Sequence, residues 1–373
     1  MTPATVSRRA VQVRDASPED NDALRVIAAS CPMEGDISVN VTREPDFFQL
    51  NRLEGERWRV GVAEVDGRVV GCVMAAERLA YVHGELRRTL YAGDLKVGPA
   101  VRGRGVADAL SAWAREALEE MAGADAPILM TILGGNRAME SRTKGKGGMP
   151  RFRRFATIRV FSIPLLVPRS FANAHLRISA AAADDVEEML ALWKRVAPNR
   201  QFAPELTTEG FRSWLAMAPG LELSDYRLAR DRSGRLVGFL AWWDQAPFKQ
   251  LRVLRYSPRL RIARAVVNRV ASVTGGVPLP EVGEVLRYRT AVHVCSEKPA
   301  VLRALLRAGH RELRQARYAF ATIGLDIRDP LCAALDGFFA QPTDVNAHVC
   351  TAGGDYEGPS LADRPLHYEI ALV

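Results

Sequence analysis

Apolar residues along the chain alternate, or recur at helical spacing, in an order that is used twice. Residues 11–17 ("VQVRDAS") alternate as a strand. The following "PEDNDALRVIAASC" has helical periodicity, with Ser17 as N-cap and Pro18 in the first turn. Residues 176–196 repeat the scheme as a strand, a small-residue turn and a helix carrying Val186, Met189, Leu190 and Trp193. Two hairpins follow these openings, one over residues 60–77 turning at Asp66-Gly67 and one over 226–244 turning at Ser233-Gly234. One architecture used twice is therefore expected, each copy running strand, helices, antiparallel hairpin, then strand–helix–strand.

The copies part company after their hairpins. In the first, "TLYAGDLKV" reads as a strand, "GPAVRGRG" as a loop, and the next residues as a helix with Val106, Leu110, Trp113, Ala117 and Met121 at spacings of three and four. In the second, "QLRVLRYSPRLRIARAVVNRVASV" supplies a strand and a helix with Ile262, Val266, Val267 and Val270, but no glycine stands between Gly238 and Gly275. The second copy is expected to keep the helix and lack the loop.

A strand that passes through glycines into a helix start exposes unpaired N–H groups at the positive end of the helix dipole, a combination that attracts phosphate. Three phosphate loops compete for this pattern. The P-loop spacing G-x-x-x-x-G-K-[S/T] does not occur in the chain. The dinucleotide fingerprint would begin at Gly103-Arg104-Gly105 but meets Asp108 in place of its third glycine, and a carboxylate is a poor neighbour for pyrophosphate. Residues Arg102, Gly103, Arg104, Gly105, Val106 and Ala107 match [Q/R]-x-x-G-x-[G/A], and here the sequence resembles the GNAT superfamily of acyl-CoA N-acyltransferases.

The resemblance implies an α/β (α+β) chain of two GNAT-like domains, each a mixed, largely antiparallel twisted sheet with a central splayed parallel strand pair and flanking helices. It implies an acyl-CoA-binding catalytic domain at 1–165, a linker at 166–175 and a degenerate domain at 176–373 that lacks the pyrophosphate loop and shapes the acceptor pocket or stabilises the first. Acetyl-CoA or another acyl-CoA is the implied cosubstrate, with acetyl the expected group. Backbone amides at Leu95, Lys96 and Val97 would meet the pantetheine and thioester, and the amides of the 102–107 loop the pyrophosphate. Asn136, after the strand in "APILMTILGGN", resembles the family asparagine beside the pantetheine arm, although an asparagine there also serves as a helix cap. In the second half, "CSEKPAVLRALLRAGHREL" resembles the late helix of the family, with His310 where an aromatic is usual.

Acyl transfer to an amine requires a neutral nucleophile, donors for the developing oxyanion and an acid for the thiolate; by resemblance the backbone at Val97 is the donor. The tyrosine that the family often places seven residues after its asparagine falls on Thr143, and the glutamate five before it on Thr131. The candidates left on the central strand are Asp94 and Tyr91, with Glu140 and His83 behind them. Being three residues apart, Asp94 and Tyr91 face opposite sides of a regular strand unless a bulge intervenes.

Composition adjusts this reading without redirecting it. A chain of 373 residues exceeds the ~250–300 at which single cores stop growing, so two domains are expected. Five scattered cysteines with no C-x-x-C indicate neither a disulfide framework nor a zinc site, and no metal is expected. The absence of an apolar leader core or membrane-length run points to a cytoplasmic protein without a membrane partner. The net charge of +8 comes partly from basic clusters at 137–159 and 249–269. These raise the alternative of a nucleic-acid-binding protein, which lacks a docking helix or aromatic platform here. A catalytically inactive CoA-binding sensor is the other alternative. The expected partner is a small-molecule or peptide amine, and the chain a monomer or homodimer.

Overall fold

The structure, a computed structural model, describes residues 11–147, 149–168 and 175–372. Residues 169–174 of the expected linker, and the first ten residues of the chain, lie outside the described residues. The first half runs β1 (Gln12–Asp15), α1 (Asn21–Ala29), β2 (Ile37–Arg43), α2 (Asn51–Glu54), β3 (Arg57–Val65), β4 (Arg68–Val82), β5 (Glu85–Val97), α3 (Val106–Ala122), β6 (Pro127–Leu133), α4 (Arg137–Arg142) and β7 (Arg153–Pro164). The second runs β8 (Arg177–Ala180), α5 (Val186–Val196), β9 (Ala203–Pro204), α6 (Thr208–Ala216), β10 (Tyr226–Arg230), β11 (Leu236–Trp243), β12 (Lys249–Tyr256), α7 (Pro258–Thr274), β13 (Tyr288–Ser296), α8 (Pro299–Gln315), β14 (Phe320–Asp326) and β15 (Gln341–Thr351).

Local chemistry sets these elements. Asp66 and Gly67 close the β3–β4 hairpin at φ of 52° and 69°, the left-handed pair that a tight two-residue turn needs. Ser17 accepts its capping-box role, its backbone N–H donating to the Asp20 carboxylate at 2.8 Å. Helix α3 buries Val106, Leu110, Ala117, Leu118 and Met121 against the sheet. Its Trp113 lies so close over Gly61 that a Cβ there would meet the ring at 2.4 Å, so β3 has no side chain at that point.

Apart from β2 and β12, the strands form one mixed sheet in the order β1-β3-β4-β5-β6-β15-β7-β14-β13-β11-β10-β8, with β9 paired off this path to β4. Two parallel pairs interrupt the antiparallel run. β5 pairs with β6 only at Leu90–Ala92 against Ile128–Met130, and β13 with β14 only at Tyr288–Thr290 against Phe320–Thr322. Beyond those rungs each pair splays. The last strand of each half crosses into the other: β15 lies between β6 and β7, and β7 pairs with β14. The cores are mixed to match. Leu50, Leu53 and Tyr81 pack with Trp193, Phe211 and Trp243, while Phe202, Val349 and Tyr368 pack with Val62, Tyr91 and Leu129.

One sequence expectation is corrected. The segment of β12 and α7, read as the counterpart of the first half's strand, loop and helix, instead pairs β12 with β2 in a separate two-stranded sheet. The counterpart of β5 and α3 is β13 and α8, since β13 is the strand that splays from a parallel neighbour. The sequence misleads here because both segments read as strand, proline, helix, and only the pairing partner separates them. The absence of a glycine loop holds in the true counterpart too, where Ser296 is joined to α8 through Glu297 and Lys298 alone.

With its closing strand supplied by the other half, neither half is expected to fold alone. The intact chain should unfold in one transition, followed alike by near-ultraviolet circular dichroism and tryptophan fluorescence. A fragment of residues 1–165 should lack a cooperative transition; one that unfolds cooperatively would contradict the exchange as a folding constraint.

Candidate functional site

The site grows from the point where β5 and β6 part. The β4–β5 register shifts between Cys72 and Met74, and Asp94 takes a left-handed φ of 53° in the resulting bulge. The bulge bends β5 away from β6 and breaks the simple alternation that would put Tyr91 and Asp94 on opposite faces. Past it, the Gly98 N–H donates to Val70 O on β4 at 2.8 Å. Successive strand amides point to alternate edges, so the Val97 N–H faces the open side.

The loop then supplies unpaired donors. Gly103 and Gly105 hold φ of 77° and 82°, with nothing within 4 Å of an added Cβ, and Gly105 is the N-cap of α3. Among the described residues the N–H groups from Gly103 to Ala107 have no acceptor. This open cradle at the start of a 17-residue helix fits a pyrophosphate. Arg104 is exposed, and Arg102 folds back to donate from Nε to Val97 O at 3.2 Å, near the Cys31 thiol. Asp108 faces away from the cradle and pairs with Arg142 at 2.6 Å. Asn136 caps α4, its Oδ1 accepting from the Met139 N–H at 3.2 Å.

At the fork itself three hydroxyls meet. Tyr91 from β5 lies 3.2 Å from Thr131 of β6 and 3.1 Å from Tyr368, and the last two are 2.7 Å apart. Burial, reinforced by the charge of Glu54, pushes the Tyr91 phenol well above its ordinary range, so it stays protonated. Tyr91 can donate a proton or a hydrogen bond here but is a poor base.

Asp94 sits in a different field. Arg43 of β2 grips it bidentately at 2.6 and 2.9 Å, and Lys96 joins on the same carboxylate. Burial would raise its pKa, but the Arg43 and Lys96 cations outweigh that and hold it well below the usual carboxylate range. The sequence offered Asp94 as a base; its surroundings make it a fixed anion. Lys96 is thereby tied to Asp94, leaving its backbone alone for any ligand. His83 stands in the β4–β5 turn, 3.4 Å from Asp363, away from this cluster.

The group that sequence reasoning missed is Glu54, at the end of α2. It is 4% exposed, with Arg78 as its nearest cation at 3.9 Å. Burial pushes it up to about 7, against the pull of Arg78. Lys249 of β12 completes the cluster from the second half, donating to Ala371 O at 3.2 Å; burial, with Arg43 nearby, pulls it down to about 7. Nothing in "NRLEGE" marks Glu54 as buried, since its neighbour Glu56 is an exposed residue of the same type. Among the described residues no His, Cys, Asp or Glu group is arranged to hold a metal.

The second splay is closed by the chain itself. Its bulge residue is His293, at φ of 52°, and residues 366–370 lie between β13 and β14. Glu369 accepts from the His293 N–H at 3.0 Å and from His367 Nε2 at 2.9 Å, taking the imidazole as the donor, and Leu366 N donates to Asp326 at 2.8 Å. Ile370 covers Gly324, where a Cβ would meet it at 2.3 Å. The space left is about 10 Å³, room for a single water.

The sequence of residues 23–139 matches the model of the acetyltransferase (GNAT) family. No curated protein matches the chain by sequence. Among solved structures, yeast (Saccharomyces cerevisiae) N-myristoyltransferase with bound myristoyl-CoA superposes with a TM-score of 0.63 at 12% identity, over 93% of this chain and 83% of that one. A GCN5-related N-acetyltransferase from Sphaerobacter thermophilus gives 0.59 at 16% identity, over 93% and 96%. One from Kribbella flavida gives 0.51 at 13% identity, over 94% and 73%. At these identities the likeness is one of fold: the chain has the fold of the GNAT and N-myristoyltransferase acyltransferases, and residues 23–139 are the part whose sequence matches the GNAT family model.

The raised Glu54 value has a measurable consequence for stability. Its folded pKa of about 7 exceeds the ordinary 4.5, so the stabilisation from its bound proton is full below pH 4.5 and lost as pH rises through 7. A shift of that size corresponds to about 3 kcal/mol. Glu54→Gln should therefore stabilise the protein by up to ~3 kcal/mol at pH 8.5, with the difference falling below ~1 kcal/mol at pH 5 and vanishing under about pH 4. Denaturant melts of both proteins across that range test this, and a difference that does not vary with pH would refute it.

Proposed function

We propose that this chain, whose residues 23–139 match the GNAT family model, transfers an acyl group from acyl-CoA to a primary amine, acetyl being the first group to test. The single observation that carries the reading is the open row of unpartnered amides from Gly103 to Ala107 at the head of α3, directly after a splayed strand. Pyrophosphate binding falls to those amides with Arg102 and Arg104 beside them, and pantetheine binding to the open edge at Leu95, Lys96 and Val97. Asn136 borders the same edge after β6. The Val97 N–H faces the side where the thioester oxygen would lie, and a preorganised donor of that kind contributes ~3–4 kcal/mol to acyl transfer.

For the proton, the reading departs from the strand candidates. A base that works near neutral pH needs a pKa close to it, which Glu54 has and the ion-paired Asp94 lacks. We assign Glu54 as proton acceptor, Tyr91 with its hydroxyl partners as donor to the leaving thiolate, and Asp94 as the anion that orders Arg43 and Lys96. The two-domain division at 165 and 176 stays part of this proposal, with the second domain contributing Lys249 and Tyr368 to the acceptor side rather than a second cosubstrate site. No helix of the described residues is long and apolar enough to cross a membrane, and cytoplasmic residence is the working assumption. A nucleic-acid role loses its footing in the 137–159 cluster, where Arg142 binds Asp108, Arg153 stacks on Tyr356 and Arg159 pairs with Asp344.

Calorimetric titration with acetyl-CoA is expected to give one site per chain. Gly105→Val should weaken it by tenfold or more, through backbone conformation alone, because an added Cβ meets nothing. Unchanged affinity would remove the loop from the site, and two equivalent sites would mean that residues 366–370 leave the second splay. In an acyl-CoA turnover assay against a panel of amines, Glu54→Gln should lower the rate by ~10²–10⁴-fold and abolish the acid limb near pH 7. Asp94→Asn should chiefly lower stability, by about 3–5 kcal/mol, by stranding Arg43. A stable Asp94→Asn protein that binds acetyl-CoA but has lost turnover would return the base to Asp94.

A further inference from the structure

Helix α7 is built inside out. Its inner face contributes Leu260 and Val267 to a small core with Val39, Val253, Tyr256 and Leu279, and of its seventeen residues Ala271 alone is fully buried. Its outer face carries Ile262, Val266, Val270 and Val273, at 77%, 65%, 37% and 77% exposure. At 100° per residue these four fall within one quadrant of the helix, a ridge about 16 Å long at 1.5 Å per residue. Scattered exposed apolar residues need no explanation, but a contiguous row of β-branched residues facing water does.

The charges on the helix itself are of one sign, while the following loop carries Glu281 and Glu284. The helix holds four arginines and no carboxylate. Arg264 turns inward, over the Tyr256 ring and onto Glu281. Arg259, Arg261 and Arg269 are exposed and make no ion pair among the described residues; on the helix wheel Arg269 borders the apolar row, and Arg259 lies in line with it, one turn before Ile262.

We propose that α7 docks this protein on an anionic lipid surface, the apolar ridge entering the headgroup layer and the arginines meeting lipid phosphates. Three alternatives fit the same residues less well. A second copy would bring the two arginine rows together, with no acid on either helix to offset them. Nucleic acid would use the arginines and leave the Ile/Val row in water. A partner protein needs a groove shaped to a protruding helix, whereas a fluid headgroup layer needs none. The docking is peripheral, on the surface rather than through it, and revises the expectation of no membrane partner. It stands apart from the acyl-transfer reading, since none of these residues belongs to that site.

Flotation with phosphatidylcholine vesicles, with and without 30% phosphatidylglycerol, tests the proposal. The full chain should bind the anionic vesicles at least tenfold better than the neutral ones and come off as salt is raised. Ile262→Asp with Val266→Asp should reduce that binding tenfold or more, as should Arg259→Glu with Arg269→Glu. Both pairs are exposed, and unchanged circular dichroism and acetyl-CoA binding will certify the fold. Failure of the wild type to float, or equal flotation of the Ile262/Val266 variant, would overturn the proposal. So would a dimer in analytical ultracentrifugation that the Ile262/Val266 variant dissolves, which would assign the ridge to a second copy.

Discussion

The structure depends on the exchange of closing strands between its two halves. A strand pair that splays gives up backbone hydrogen bonds on the facing edges, and the sheet stays intact only if its remaining edges are fully paired. β15 does this for β6, running antiparallel to it from Val345 to Thr351, while its other edge holds β7. β7 in turn closes β14. Each opening is thus braced by a strand from the other half, and the mixed cores at Leu50, Tyr81, Phe202 and Tyr368 follow from that crossing.

A second crossing, the pairing of β12 with β2, explains the electrostatics. Asp94 comes from β5, Arg43 from β2, Glu54 from α2 and Lys249 from β12, so four charged side chains from both halves are brought out of water together. Their environments then diverge. Asp94 has a bidentate guanidinium and an ammonium within contact and keeps its charge; Glu54 has, among the described residues, Arg78 alone within 4 Å, with Arg43 and Lys249 farther off, and holds its proton up to neutrality. Two carboxylates in one cluster are separated by the quality of their partners rather than by their depth.

What could be read from the sequence followed the range of the interaction involved. The loop at 102–107 was legible because left-handed backbone is a local demand that glycine meets, and Gly103 and Gly105 do hold it. The Asp66-Gly67 hairpin and the helix at Val106 were legible for similar reasons. The splay was reached through resemblance alone, and the partners of Asp94 were out of reach: Arg43 is 51 positions away, and no spacing rule connects them. Glu54 was invisible because burial of a short helix end is decided by what packs over it. The assignment of α7 failed on pairing, a non-local property that two locally similar segments do not reveal.

The second splay keeps the same bent backbone as the first, with His293 in the place and conformation of Asp94, yet it holds its own residues 366–370. In binding terms that segment is a tethered ligand: covalent attachment gives it an effective concentration far above that of any free competitor, and its association energy is spent on folding instead of recognition. One half thus behaves as a receptor saturated at synthesis. The second splay is in this way kept open in its backbone and closed in its volume.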